Sequence, residues 1–328
     1  MPAECVIGVD LGGSKLLAGT VDAGLRVHHR TQRVAFADED PAWGTGALLD
    51  TLIGVVAELR STADAEIVGV GFGIPALIDQ DRGLAVMAVH QPVVNLPFAD
   101  IMSERLGLPV FVDNDANAAM LAEHRFGAAQ GTRYAVMLTI GTGIGGGVII
   151  DGELFRGSQG AGAELGHMVI ETDGPPCFGN CPNHGCLEAL ASGSALAREG
   201  LRVARDASDS ALGQALASGQ EISGALVTEL AHDGDRAARD VLALVGMRLG
   251  VGIANLVNIF NPEVVVIGGG VIAAGDLLLE PARRVVKERA LEPSRSHARV
   301  VPARFGAESG MLGAAALALD GVEKRTPA

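Results

Sequence analysis

The chain has 328 residues, more than a single core usually organises, so two domains are expected. Its formal net charge is -14, which opposes general attraction to phosphate backbones and anionic lipid and sets nucleic acid and membrane aside as expected partners. Aromatic residues make up only 3% while glycine numbers 45, a composition suited to small polar ligands held by bare backbone rather than by stacking.

The first predicted strand is Cys5 to Asp10, which runs through LGGSK into a second strand, LLAGTVD. Strand, Gly-Gly-Ser turn and strand make a hairpin, not the strand-to-helix passage of a P-loop, and the Walker spacing is absent. The turn still offers phosphate chemistry. Gly12 and Gly13 bare backbone N–H groups, Ser14 adds a hydroxyl and Lys15 a charge, while Asp10 would hold a magnesium-bound water.

A third strand is expected near Arg26 to Val34 and a helix over Leu48 to Leu59, where apolar residues recur at helical spacing. Ile67 to Phe72 reads as a buried strand opening into a loop in which Gly73 presents backbone to a ligand. Gln91 to Leu96 reads as a polar loop, and Ile101 to Leu106 as a short helix. The strand VFV then delivers Asp113, Asn114, Asp115, Ala116 and Asn117 ahead of a helix from Ala118 to Phe126. Acids at a strand's carboxyl end face the ligand crevice of an open α/β sheet, where a carboxylate accepts a proton from a substrate hydroxyl. Helix capping by Asp115 or Asp113 would explain one acid of the group, not all.

Ala135 to Ile140 is a strand, and GTGIGGG turns it into another, Gly147 to Ile150. Gly141, Gly143 and Gly146 fit the dinucleotide spacing G-x-G-x-x-G, but no helix follows, so the turn reads as a second phosphate hairpin that includes Thr142 and Gly143. Leu187 to Leu201 reads as helix, and Asp235 to Asn258 as a long helix ended by Pro262. Within it Gly246, Gly250 and Gly252 would admit a neighbouring backbone. All apolar runs are read as too short to cross a bilayer. VVVIGGG brings Gly268, Gly269 and Gly270 into a third glycine turn, where a base or ribose would lie on bare backbone. Leu277 to Leu291 is helical, Arg299 to Ala303 a strand, and Met311 to Leu319 a closing helix.

The stretch from Glu164 to Glu188 holds three of the four cysteines. His167, nine residues, Cys177, three residues, Cys181, four residues and Cys186 is the pattern of a tetrahedral zinc site of one imidazole and three thiolates. Pro, Gly and Asn separate the cysteines, so the segment is a loop in want of a staple rather than a core of buried thiols. A disulfide is the weaker alternative. No secretory signal precedes the first strand, which gives a cytoplasmic, reducing expectation. Glu164 and Glu188 bracket the ligands, two carboxylates fixed for a polyhydroxylated substrate.

Together DLGGSK, VDNDANAA, IGTGIGGG, GAELGH, the cysteine loop ending GCLE, and VIGGGV resemble the ROK family of sugar kinases over nearly the whole chain. The resemblance implies an α/β, two-domain actin/hexokinase-like (ribonuclease H-like) fold with a cleft between domains. It places a smaller N-terminal domain at 1-115, with the helix at about 311-328 packing back on it, and a larger domain at 116-310 carrying the zinc loop. It implies a cytoplasmic kinase acting in glycolysis: ATP-dependent phosphorylation of a hexose with magnesium, structural zinc and a homodimer or higher homo-oligomer. Asp115 would be the general base and Asn114 a sugar contact, with Glu164, His167 and Glu188 as further sugar contacts. Gly12, Gly13, Gly143 and Gly269 would serve the phosphates and adenosine. His167 would give one ring nitrogen to zinc and the other to sugar. Glucose is the expected acceptor, with fructose, mannose, allose and N-acetylated hexosamines as alternatives. A sugar-sensing repressor or a non-catalytic sugar-binding subunit are other readings; the first would carry a helix-turn-helix ahead of the phosphate hairpin, where four residues precede Cys5. One departure stands out. Gly179 occupies the family's first cysteine position in the metal run and Pro182 the following glycine, so Cys177, two residues earlier, must reach the metal through a bulge.

Overall fold

The computed structural model describes residues 4-12, 15-34, 44-88 and 93-325. In chain order its strands and helices are β1 (Glu4–Leu11), β2 (Lys15–Val21), β3 (Val27–Val34), α1 (Thr45–Thr62), β4 (Glu66–Ile74), β5 (Ala76–Asp79), β6 (Leu84–Ala88), β7 (Val94–Leu96), α2 (Phe98–Leu106), β8 (Val110–Asn114) and α3 (Asp115–Phe126). Then follow β9 (Ala135–Ile140), β10 (Ile144–Ile150), β11 (Glu153–Leu154), α4 (Leu187–Ala191), α5 (Gly193–Asp206), α6 (Ala211–Ala217), α7 (Gly224–His232), α8 (Arg236–Phe260), β12 (Val264–Gly268), α9 (Asp276–Arg289), α10 (Ser294–His297), β13 (Arg299–Pro302) and α11 (Ser309–Arg325).

The chain divides into two compact units, one of residues 1-130, 154-163 and 308-328, the other of residues 131-153 and 164-307. Each holds a five-stranded sheet, in the order β3-β2-β1-β4-β8 in the first and β11-β10-β9-β12-β13 in the second. In the first, β1 pairs antiparallel with β2 and parallel with β4, which pairs parallel with β8. In the second, β9 repeats the pattern with β10, β12 and β13. The duplicated sheet is the actin/hexokinase-like α/β architecture that the sequence leads one to expect.

Alternation along β1 explains how the first unit packs. Cys5, Ile7, Val9 and Leu11 point to one face, where they join Leu48, Leu52, Val55 and Leu59 of α1 and Phe98 and Met102 of α2 in a single core. On the other face stand Gly8 of β1 and Gly71 of β4. A Cβ at Gly8 would lie 2.2 Å from the carbonyl oxygen of Met311, and one at Gly71 only 1.8 Å from that of Ala314. Glycine is required at both because α11 rides with its backbone directly on the strands.

In the second unit α8 is the central helix. Asp235 caps its start, accepting from Ala238 N at 2.8 Å, and Asn261, left-handed at φ 46°, ends it before Pro262 is reached. Gly246 and Gly250 admit the backbone of α9, with Cβ positions 2.4 Å from Leu278 O and 2.6 Å from Ala282 O, whereas Gly252 makes room for the Leu187 side chain instead. The helix corrects the expectation about bilayer-length segments: its 25 residues are long and apolar enough to span one. Its apolar stripe of Leu242, Val245, Leu249, Ile253 and Leu256 is buried within the unit, the usual state of a core helix. Two further elements differ from expectation. The helix predicted over Leu187 to Leu201 is broken at Ser192, which ends α4 and caps α5 by accepting from Ala195 N. Val94–Leu96, expected within a loop, is the edge of a small antiparallel sheet, β5-β6-β7.

Candidate functional site

In the first unit the parallel register of β1, β4 and β8 lines up Asp10 with Gly73 and Gly73 with Asp113, all at the carboxyl edge of the sheet. Three of the chemistry-bearing positions expected from separate strands are thus neighbours. Gly73 keeps the edge open, since a Cβ there would stand 3.2 Å from the Ala118 Cβ, 3.4 Å from the Asp115 Cα and 3.8 Å from the Asp10 Oδ1. The carboxyl of Asp10 is raised from its ordinary value to about 8, first by burial and then by the charge of Asp115. Gly310, at the start of α11, closes on it so tightly that a Cβ would fall 2.4 Å from the Asp10 carboxyl carbon. Gly12 N donates to Lys15 O at 2.8 Å and shuts the hairpin, leaving Lys15 exposed. Gly13 and Ser14 lie outside the described residues.

At the end of β8 the helix cap is Asn114, not Asp113 or Asp115. Its Oδ1 accepts from Ala116 N at 2.9 Å and Asn117 N at 3.2 Å, and its Nδ2 donates to Ala76 O at 3.4 Å. Asp115 opens α3, its Oδ1 2.9 Å from Ala116 N. Asp113 points the other way and is 2% exposed. Arg156 Nε and Nη2 donate to its Oδ2 at 2.8 and 2.7 Å, while Asn114 N and Asn117 Nδ2 donate to its Oδ1 at 2.8 and 3.2 Å. The two acids of the run therefore divide: Asp113 is a saturated anchor, and Asp115 stands at the sheet edge beside Asp10.

In the second unit the metal-like stretch folds on itself. Val169 bridges Cys186 and Pro176 bridges His184, with Cys177 N donating to Asn183 O at 2.9 Å and Gly185 N to Pro175 O at 2.8 Å. Gly185 is left-handed at φ 65°, and a Cβ there would fall 1.6 Å from Glu171 O, so only glycine closes this turn. One donor atom each from His167, Cys177, Cys181 and Cys186 lies within 4.8 Å of all the others. Cys177 Sγ is 3.5 Å from His167 Nδ1, and Cys181 Sγ is 3.9 Å from Cys186 Sγ. Zinc bonds of about 2.3 Å to sulfur and 2.0–2.1 Å to nitrogen give tetrahedral edges of about 3.8 and 3.5 Å, so the donor set fits the ion. The displaced Cys177 belongs to that set. Burial raises the Cys177 and Cys186 thiols, and a bound cation would favour their ionised forms.

With Nδ1 toward the thiols, His167 turns Nε2 to Glu164, whose Oε2 is 4.0 Å away. Partial desolvation raises the Glu164 carboxyl; His167 opposes the shift and Glu188 adds to it. Glu188 reaches from α4 to the second glycine turn, where its Oε2 accepts from Ile144 N at 2.8 Å. In the same unit Gly141 N donates to Gly143 O at 2.9 Å, and Gly269, at φ 83°, packs on Ile140, its Cβ position 2.4 Å from Ile140 O. The turns at 141-143, with exposed Thr142, and at 269-270 are therefore adjacent.

Residues 6–321 match the protein-family model described as ROK family. The chain belongs to the ROK family. It is 37% identical over 319 residues to a glucokinase of Thermotoga maritima, covering 97% of this chain and 98% of that one. A crystal structure of a ROK family glucokinase from Streptomyces griseus in complex with glucose and AMPPNP superposes with a TM-score of 0.86 at 35% identity, over 97% of this chain and 100% of the other. A putative xylose repressor of Caldicellulosiruptor is 31% identical over 96% of this chain and 78% of its own length, so the fold serves both enzymes and regulators. Membership alone does not select between them, and the site chemistry has to.

Sequence reasoning missed three contacts, each within one of the two units. Arg156 lies alone in a glycine-rich run and has no spacing partner, so nothing in the sequence ties it to Asp113. Ser194 donates from its hydroxyl to Thr142 O at 2.9 Å, and Gly193 N to Gly141 O at 2.8 Å; reading 187-201 as one helix hid the α5 start that supplies them. Glu123 is fully buried and accepts from Ala128 N at 2.8 Å and Ser309 Oγ at 2.9 Å, holding the start of α11. Its position on a helix face offered no hint of that.

Proposed function

We propose that the chain transfers the γ-phosphoryl group of ATP to a hydroxyl of a hexose, with glucose as the acceptor and glucose 6-phosphate as product. The observation that carries this reading is the meeting of Asp10, Gly73 and Asp115 at one sheet edge, where Asp113 pairs with Arg156 and Asp115 stands beside Asp10. The full-length likeness to ROK glucokinases supports the choice of glucose.

Asp115 takes the proton of the attacking sugar hydroxyl as that oxygen bonds to the γ-phosphorus and the bond to the ADP oxygen breaks. Asn114 offers its amide to a neighbouring sugar hydroxyl, and Glu164, His167 and Glu188 grip the remaining ones. Phosphoryl transfer needs chiefly positioning and charge stabilisation, which backbone N–H groups of the Gly12–Lys15 and Gly141–Gly143 turns supply to the phosphates. The backbone of Gly269 and Gly270 receives the nucleoside.

Asp10 is the residue that would hold magnesium through water. When bound, the ion neutralises charge on the phosphate oxygens, and a buried carboxyl crowded by Asp115 suits a cation better than it suits solvent. His167, Cys177, Cys181 and Cys186 would hold zinc, which orders the loop and fixes the tautomer of His167.

Asp115→Asn tests the assignment. Turnover should fall by a factor on the order of 10²–10⁴ while calorimetric glucose affinity stays within about threefold. Turnover above about a tenth of the wild-type rate would remove Asp115 as the base.

A further inference from the structure

The segment that follows the last metal-ligating cysteine clamps the phosphate turn of the second unit from both sides. Two residues after Cys186, Glu188 sends its Oε2 to Ile144 N at 2.8 Å, and the same oxygen lies 2.3 Å from where a Cβ on Gly143 would stand. Its Oε1 accepts from Cys177 Sγ at 3.8 Å. The backbone carbonyl of Glu188 then accepts from Ser192 N, and the chain turns into α5, whose Gly193 N and Ser194 Oγ donate to the carbonyls of Gly141 and Thr142. The turn at 141-144 is thus held at its entry by the start of α5 and at its exit by one carboxylate, and that carboxylate also touches the metal-ligand set.

We propose that Glu188 is the positioning residue that transmits order in the Cys177–Cys186 loop to the Gly141–Ile144 phosphate turn, so that the loop sets nucleotide affinity as well as sugar contact. The proposal rests on the reading that this turn receives ATP phosphates. The Ile144 N–H is withdrawn from the ligand by the carboxylate, and the Thr142 and Gly143 backbone is fixed on either side of it. Glycine at 143 is required for the approach of Glu188 and not by its φ. A charge-assisted bond at a half-buried site governs an order of magnitude or more in binding.

The test is the dissociation constant of magnesium AMPPNP, read by calorimetry beside that of glucose, on protein whose zinc content has been measured. Glu188→Ala should weaken AMPPNP by about tenfold or more. Glu188→Gln, whose amide oxygen still accepts from Ile144 N, should keep AMPPNP within about threefold of wild type while changing glucose affinity. Gly143→Ala should weaken AMPPNP as Glu188→Ala does, and the double variant should be no worse than Glu188→Ala alone, because the two changes act on one contact. Removing zinc from the wild type with a chelator should weaken AMPPNP in the same sense. Wild-type AMPPNP affinity in folded Glu188→Ala overturns the strut and leaves the kinase reading standing. A wild-type protein that binds no AMPPNP refutes the kinase reading, and the strut with it.

Discussion

Arg156→Met removes a guanidinium that donates two hydrogen bonds to Asp113 and leaves a side chain of similar reach. Asp113 is 2% exposed and keeps only its bonds from Asn114 N and Asn117 Nδ2. Taking one partner from a buried pair costs about 3–5 kcal/mol because a charge is left without compensation. Arg156 is 28% exposed, so water replaces part of the lost interaction and about 2–3 kcal/mol is the expected loss. Urea denaturation with matched slopes measures it. Asp113→Asn in the Arg156→Met background should then cost far less than in the wild type, with a coupling of at least about 1 kcal/mol. Because Asn114 and Asp115 follow Asp113 directly, kcat should also fall, by about tenfold, with glucose KM less affected. A loss below about 0.5 kcal/mol with additive single variants would refute the view that this pair anchors the strand end.

Wild-type protein should carry about one zinc per chain by elemental analysis, and Cys177→Ser should lose most of it; full zinc in that variant would remove Cys177 from the ligand set. Gly71→Ala, which drives a Cβ into the α11 backbone, should destabilise by about 1–3 kcal/mol, whereas Gly54→Ala in α1, with nothing within 4 Å of its Cβ, should stabilise by about 0.5–1 kcal/mol; equal effects on the denaturation midpoint would contradict the packing described. In metal-free protein Asp10, raised to about 8, holds its proton when folded and releases it near pH 4 when unfolded. The folded state therefore binds more protons between those values, so thermal stability should decline as pH rises from about 4 to 8. Asp10→Asn should flatten that decline, and an unchanged slope would place the titration elsewhere.

What the sequence made legible follows from local chemistry. The strand ends at Asp10 and Asp113–Asp115, the glycine turns and the metal spacing were readable because each is a short run whose residue types dictate its backbone or its ligands. The unread parts depend on contacts between distant segments. Asn114 took the cap because its amide oxygen reaches two N–H groups while Asp113 is drawn to Arg156, 43 residues away. Periodicity carried 187-201 as one helix because Ser192 is small and its cap reveals itself only with α5 in place. Gly8 and Gly71 look like ordinary strand glycines until α11 is laid on them. The reach of Glu188 to Ile144 has no signature in spacing at all.

The central claim is phosphoryl transfer from ATP to glucose, and the direct measurement is ADP release in a coupled assay over a panel of hexoses with magnesium present. ADP release that depends on sugar, with glucose giving the highest kcat/KM and Asp115→Asn lowering it by a factor on the order of 10²–10⁴, is the predicted result. No sugar-dependent ADP release from zinc-replete protein with any hexose would contradict the account.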